Sequence, residues 1–279
     1  NGKGLLWKIE KEGATPSFLF GTMHVTDPRV TSLTPAARSA FEAAETVVIE
    51  TTEVMDQTKM LAALMQRPEL TMFIDERSLE SLLTAEDASV LNKALEARGI
   101  SPASVSKMKP WMLSATLALP ACELARKADG AAVLDVKLAQ DAVTAGKNLE
   151  GLETIVAQLE AMASLPMEFH MKGLIDTAKL GDRIDDLIET MIVLYQNENT
   201  GMFWPLFRAA MPGGEAKDSG YAAFEQAMVI TRNRKMVEKA APILEGGGAF
   251  IAIGALHLPG QDGLVELFRR EGYDVSRIN

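Results

Sequence analysis

The sequence predicts an α/β protein: a mixed β-sheet with strand-end Gly-x-x-His motifs and a largely helical central insertion. Three observations predict it. The chain opens on a hairpin, a helix and a strand; amphipathic helical stripes fill its middle; and an apolar strand, a helix and a further strand close it. We read one domain over residues 1–279, with its α/β core at approximately 1–53 and 246–279 and a mostly helical middle at 54–245. No low-complexity segment or strong linker divides it.

The elements follow in order. Leu5-Leu6-Trp7-Lys8-Ile9 is a first strand, and a polar turn with Gly and Pro leads to a second, Phe18-Leu19-Phe20. That strand runs directly into Gly21-Thr22-Met23-His24. Thr34 followed by Pro35 is an N-cap with proline at the first helical position, opening a helix to about Ala44. Thr46-Val47-Val48-Ile49 is a short β-branched strand that ends in Glu50. From Leu79, the positions Leu82, Leu83, Val90, Leu91, Ala94 and Leu95 keep helical spacing up to a stop at Gly99. Lys147 to Leu152 predicts another short strand. Ile184, Leu187, Ile188, Met191, Ile192 and Tyr195 share one helical face, and their methionines read as gap-fillers of a core. Ala210 to Gly220, rich in Gly, Pro and charge, predicts an exposed loop. Ala249-Phe250-Ile251-Ala252-Ile253 is the kind of strand that is buried on both faces. Gly254-Ala255-Leu256-His257 follows, then a helix from about Asp262 and a closing strand near Tyr273 to Val275.

Composition narrows the function classes. A hydrophobic fraction of 47% and a charged fraction of 24% are those of an ordinary globular protein. At 279 residues, folding buries roughly three quarters of the chain's surface, so the core needs neither disulfides nor a structural metal. The net charge of -10 and a pI near 5.0 oppose phosphate backbones and anionic membranes, which argues against nucleic acid as a partner. The longest uncharged stretches, Pro110 to Cys122 and Gly246 to Gln261, are too short or too interrupted to span a bilayer. Cys122 is the sole cysteine; its neighbours Leu119, Pro120, Ala121 and Leu124 predict a buried structural thiol. The chain begins at Asn1, as expected of a processed or trimmed product whose signal peptide is already gone.

The chemistry is carried by two of the three histidines. Each follows an apolar strand in the same local context, Gly21-Thr22-Met23-His24 and Gly254-Ala255-Leu256-His257. Glycine at a strand end permits a sharp turn and a close approach of ligand or backbone. In open α/β sheets, ligands bind beyond the carboxyl ends of strands. Glu50 ends a strand as well, so His24, Glu50 and His257 are predicted to converge on one sheet edge. Two neutral imidazoles and a carboxylate make a ligand set for a first-row divalent metal, with positions left open for water and substrate. Without metal, the same groups make a general base and a carboxylate that orients it. His170, in Met167-Glu168-Phe169-His170-Met171, lies on no motif and reads as structural or surface.

Taken in order, these residues resemble the TraB/GumN family, to which the Tiki and PrgY proteins are related. The resemblance rests on Trp7, Gly21 to His24, Glu50, Lys109-Pro110-Trp111, Gly130 with Leu134-Asp135, and Leu152-Glu153-Thr154. Arg232-Asn233 and Gly254-His257-Leu258-Pro259-Gly260 complete it, so the match covers nearly the whole chain. It implies a fold like that of the erythromycin-esterase-like and ChaN-like proteins. It also implies metal-dependent cleavage of a peptide or protein substrate, with manganese or cobalt the expected metal and zinc compatible with the donors. In that setting His24, Glu50 and His257 are both metal ligands and catalytic groups, while Arg232 and Asn233 face a substrate carbonyl or carboxylate. Export of bacterial members implies a periplasmic or secreted protein. One departure stands out: the acidic residue expected two positions after Glu50 is Thr52, with Glu53 as its stand-in. Trp111 reads as a core anchor, and Asp135 and Glu153 as helix caps. Two other classes stay open, a metal-free esterase with a histidine base and a non-catalytic protein that sequesters a peptide signal.

Overall fold

In the computed structural model, which describes residues 2–210 and 220–278, six strands form one mixed sheet in the order β4-β3-β5-β2-β1-β6. The strands are β1 (Leu6–Glu10), β2 (Ser17–Thr22), β3 (Thr46–Ile49), β4 (Asn148–Gly151), β5 (Ala249–Gly254) and β6 (Asp274–Ile278). β4, β3, β5 and β2 run parallel, whereas β1 pairs antiparallel with both β2 and β6. The last parallel strand of the chain is thus inserted between the first two, with Phe250 paired to Phe18 on one side and Val47 on the other. All of β5 up to Ile253 is buried, as its unbroken apolar run predicts.

Side chains alternate across the sheet. Phe20, Val47, Ile49, Phe250 and Ala252 face one layer, packed by the helices Pro35–Ala43, Leu134–Thr144 and Arg183–Gln196. Leu19, Val48, Ala249, Ile251 and Ile253 face the other, under the helices Thr231–Gly246 and Leu264–Arg270. A third cluster, which includes Phe73, Leu91, Leu95, Leu113, Leu117 and Leu174, gives part of the helical middle a core of its own.

Most elements fall where the sequence places them. Thr34 caps the helix Pro35–Ala43 by accepting from Ala37 N–H, and the predicted strand near 147–152 is β4. Three differences have physical causes. The stripe from Leu79 to Leu95 breaks into a short turn, Glu80–Leu82, and a helix, Ala85–Glu96, because Thr84 caps the second piece through Asp87 N–H. The closing strand runs on to Ile278 because β1 offers it an open edge. Cys122 is exposed, not buried: on the helix Ala121–Ala128 it is Glu123 that points inward, fully buried against Thr26 and Arg126. The loop predicted at Ala210 to Gly220 falls largely on residues 211–219, outside the described residues. Among the described residues, no helix is long and apolar enough to cross a membrane.

Candidate active site

His24, Glu50 and His257 follow β2, β3 and β5, which are neighbours, so all three emerge at the carboxyl edge of the parallel sheet. Gly254 marks the point where they meet. A methyl group built there would lie 3.1 Å from Glu50 Oε1, 3.6 Å from His257 Cδ2 and 3.8 Å from His24 Nε2. Glycine is needed here for space and not for conformation, since its φ of -47° suits any residue. Behind the edge, Tyr195 donates its hydroxyl to Gly21 O at 2.7 Å, fixing the turn that presents His24.

Each imidazole is anchored through Nδ1. His24 Nδ1 bonds Asp135 Oδ2 at 2.8 Å, and the other carboxylate oxygen accepts from Thr22 Oγ1 at 2.6 Å. His257 Nδ1 bonds Asn233 Oδ1 at 2.6 Å. The Asn233 amide donates to two carbonyls, His257 O at 3.2 Å and Asp262 O at 2.7 Å. That arrangement turns the Asn233 oxygen toward the ring, so His257 Nδ1 carries the hydrogen and Nε2 carries the lone pair. A carboxylate behind His24 selects the same tautomer for its neutral form, the usual way in which an outer group orients a metal-binding histidine.

Glu50 is held from three sides. Gly254 N–H donates to Oε1 at 2.9 Å, and Arg232 Nη2 and Gln158 Nε2 donate to Oε2 at 2.7 and 3.1 Å. Arg232 also binds Glu153, at 2.6 Å from Nη2 and 3.1 Å from Nε. Burial opposes ionisation of Glu50, but at the acid pH where it titrates both imidazoles are protonated, and His257, His24, the Arg232 guanidinium and the Gly254 N–H outweigh burial and bring its pKa to about 2. The two histidines diverge. Asp135 lifts His24 to about 9 against desolvation, although 61% of its side-chain surface is open and solvent screens part of that pull. Burial presses His257 down to about 4, so it stays neutral.

The donor types fit a divalent cation: two imidazoles anchored at Nδ1, and a carboxylate beside them. Charge fits as well, because the carboxylates of Glu50, Asp135 and Glu153 outnumber the one guanidinium, Arg232, in this buried network. Among the described residues, however, no three His, Cys, Asp or Glu side chains are gathered as they stand around a bound ion. Arg232, Gln158 and Gly254 hold the Glu50 carboxylate in its present direction.

The remaining predicted residues divide. Asn233 is fully buried and its amide is spent on His257 and Asp262, so it stands behind His257. Arg232 is buried between Glu50 and Glu153. Glu53 does not stand in for the acid expected at Thr52: it accepts from Ile155 N–H at 2.6 Å, at the start of the helix Ile155–Ala163. Neither Asp135 nor Glu153 is a helix cap; one binds His24 and the other Arg232, while Thr154 caps the helix after it. His170 is structural, with Nε2 donating to Met162 O at 2.9 Å and its ring packed at a tilt against Trp111, centroids 4.5 Å apart. Trp111 anchors its helix through Nε1 to Leu70 O at 3.1 Å. Gln158 was missed, with nothing in its local sequence to mark it; Thr22 lies inside the first Gly-x-x-His stretch, but nothing local shows that its hydroxyl binds Asp135.

Comparison with known proteins places the chain in a family. Over 318 aligned residues the chain is 22% identical to the metalloprotease TIKI2 of Danio rerio, an alignment covering 97% of this chain and 60% of that protein. The chain therefore spans about 60% of the length of that curated relative. No solved structure matches it. The family model described as TraB/PrgY/gumN family matches residues 5–277, nearly the whole chain; this protein belongs to the TraB/PrgY/gumN family.

Proposed function

We propose that this protein is a metal-dependent hydrolase that cleaves peptide bonds, with His24, Glu50 and His257 as the groups that hold the metal. The observation that carries the reading is the pair of anchored imidazoles: both bind through Nδ1 to a fixed acceptor and leave Nε2 for a ligand, next to Glu50 at Gly254. The name of the relative, a metalloprotease, supports the same reaction class. When bound, a divalent ion lowers the pKa of a water and polarises a scissile carbonyl.

The chain's own groups supply the rest. Asp135 keeps the His24 proton on Nδ1, and Asn233 does the same for His257. Arg232 and Gln158 hold the Glu50 carboxylate ionised, which suits it to bind a cation or to take a proton from water. The donor set accepts manganese, cobalt or zinc, and manganese or cobalt is the choice carried by the family resemblance. An exported protein, periplasmic or secreted, is part of the same proposal and is tested by fractionating the host cell.

The decisive experiment is calorimetric titration of metal-stripped protein with manganese, cobalt and zinc, beside His24→Ala and His257→Ala. One site per chain, absent from both variants, together with peptide cleavage that needs the same metal, is the expected result. No binding by the native chain would refute the metal reading. A second reading has its own observation, the different surroundings of the two imidazoles, a carboxylate behind the exposed His24 and a neutral amide behind the buried His257. These suit a metal-free acid and base pair, His24 donating and His257 accepting a proton in ester hydrolysis. Hydrolysis that survives chelation and disappears in both histidine variants would establish it.

A further inference from the structure

We propose that an aromatic cavity beside the sheet edge is the subsite for a bulky apolar side chain of the peptide substrate, a proposal that rests on the peptide-hydrolase reading above. The cavity has a volume of about 230 Å³ and is walled mainly by Trp111, Met162, Phe169, Phe207, Tyr221 and Phe224. Its rings brace one another: the Phe169 centroid lies 5.9 Å from Tyr221 and 5.8 Å from Phe224, and Phe207 lies 6.1 Å from Phe224. The Trp111 wall is fixed by its bond to Leu70 O and by His170. A dry cavity of roughly 150 Å³ accepts benzene, so this one has room for a phenylalanine or leucine side chain.

Two helices join the cavity to the site. Gln158, which holds Glu50, lies one turn before Met162 on the helix Ile155–Ala163. On the second, Arg232 holds Glu50 and Phe224 lines the cavity, with a π-helical turn, Gln226–Ile230, between them. In an unbroken α-helix, residues eight apart stand about 80° apart around the axis. The one extra residue taken up by a π turn closes that angle to about 20°, so both side chains share a face. The same pair of helices thus grips Glu50 at one level and lines the cavity at the next. The separation along the axes is roughly 6 Å from Gln158 to Met162 and roughly 12 Å from Arg232 to Phe224, which an extended peptide covers in about two to four residues.

An independent observation comes from Gly173. It lies inside the helix Met167–Leu180 and lines the cavity, and a Cβ added there meets no atom within 4 Å. After proline, glycine is the residue that a helix interior tolerates least. Here its missing side chain is space that the cavity keeps.

Gly173→Leu is therefore the test, since it fills the cavity while favouring the helix. Two blocked five-residue peptides serve as probes, one with a central phenylalanine and one with alanine in its place. Tryptophan fluorescence reads binding, through Trp111 in the cavity wall and Trp204 stacked on Phe207 and Phe224. Metal-loaded native protein is expected to bind the phenylalanine peptide at least tenfold more tightly, and Gly173→Leu to abolish that preference with its thermal midpoint at or above the native value. Equal binding of the two peptides, or a preference that survives Gly173→Leu, would overturn the subsite. Preferential binding without cleavage under any metal would keep the subsite and overturn the hydrolase; cleavage without preference would do the reverse.

Discussion

Asp135→Asn isolates the electrostatic part of the site with little change of shape. An asparagine can turn its oxygen to His24 Nδ1 and its amide to the Thr22 hydroxyl, so both contacts survive and only the charge is lost. The rise of His24 from 6.5 to about 9 corresponds to roughly 3.4 kcal/mol at about 1.36 kcal/mol for each tenfold in proton affinity. With 61% of the side chain open, solvent screening leaves on the order of half of that. Histidine proton NMR reads it directly, because the chain has only 3 histidines and burial lowers both His257 and His170. In metal-free protein one resonance is expected to titrate well above neutrality, and Asp135→Asn to bring its midpoint down by at least about one pH unit. Stability must follow with a definite sign. A folded pKa above the unfolded value contributes stability that is complete below pH 6.5 and is lost as the pH rises through about 9. The urea stability gap between native protein and Asp135→Asn is thus wide at pH 6 and narrow at pH 10. A native protein with no histidine titrating above neutrality, or one whose high midpoint is unmoved by Asp135→Asn, refutes the reasoning.

Further expectations concern the neighbours. Glu50→Gln breaks a buried ion pair and costs about 3 kcal/mol in urea denaturation, the low end of the usual range because Glu153 still holds Arg232. Glu50 has a folded pKa below its unfolded value, so its stabilisation is complete above pH 4.5 and lost as the pH falls through about 2; the gap to Glu50→Gln shrinks over that interval. Asn233→Ala strips His257 Nδ1 and two carbonyls of their partner, costing about 1–3 kcal/mol, and weakens metal binding in calorimetry by about 10–100-fold through the loss of ring orientation. Gly254→Ala keeps the native fold by circular dichroism, because its φ is ordinary, yet it lowers peptide cleavage at least tenfold by placing a methyl where the three groups meet. Retained activity in Gly254→Ala would separate the reaction from that edge.

The local signals were legible in the sequence and the long-range ones were not. A fully apolar run ending in glycine and histidine reads as a buried strand with a turn behind it, and so β5 and His257 were visible, as were β2 with His24 and β3 with Glu50. Nothing local says that β5 inserts between β2 and β3, since that order is decided by pairing across more than two hundred residues. Asp135 and Glu153 lie in or just before the first turn of helices, where an acidic residue is favoured by the helix dipole alone, and that favourable explanation concealed their partners. The family motif held the better signal, because it contains both residues. Cys122 shows the opposite failure: apolar neighbours in sequence are not neighbours on a helix, and the helical phase turns Glu123 inward instead.

The sheet fixes where the three site side chains begin, and the helices fix what those side chains are. Asp135 reaches His24 from the helix Leu134–Thr144, whose Leu134, Leu138, Ala139 and Ala142 pack on one face of the sheet. Arg232 and Asn233 reach Glu50 and His257 from the helix Thr231–Gly246, whose Met236, Val237 and Ala240 pack on the other. The carboxyl edge is therefore gripped from both layers, with a charged partner behind one histidine and a neutral amide behind the other. Because these partners are rooted in separate cores, a loss of packing on one face is expected to disturb one imidazole before the other. That asymmetry explains how two copies of the same four-residue motif acquire opposite proton affinities. The difference lies in the residue that each Nδ1 meets and in the depth at which each ring sits.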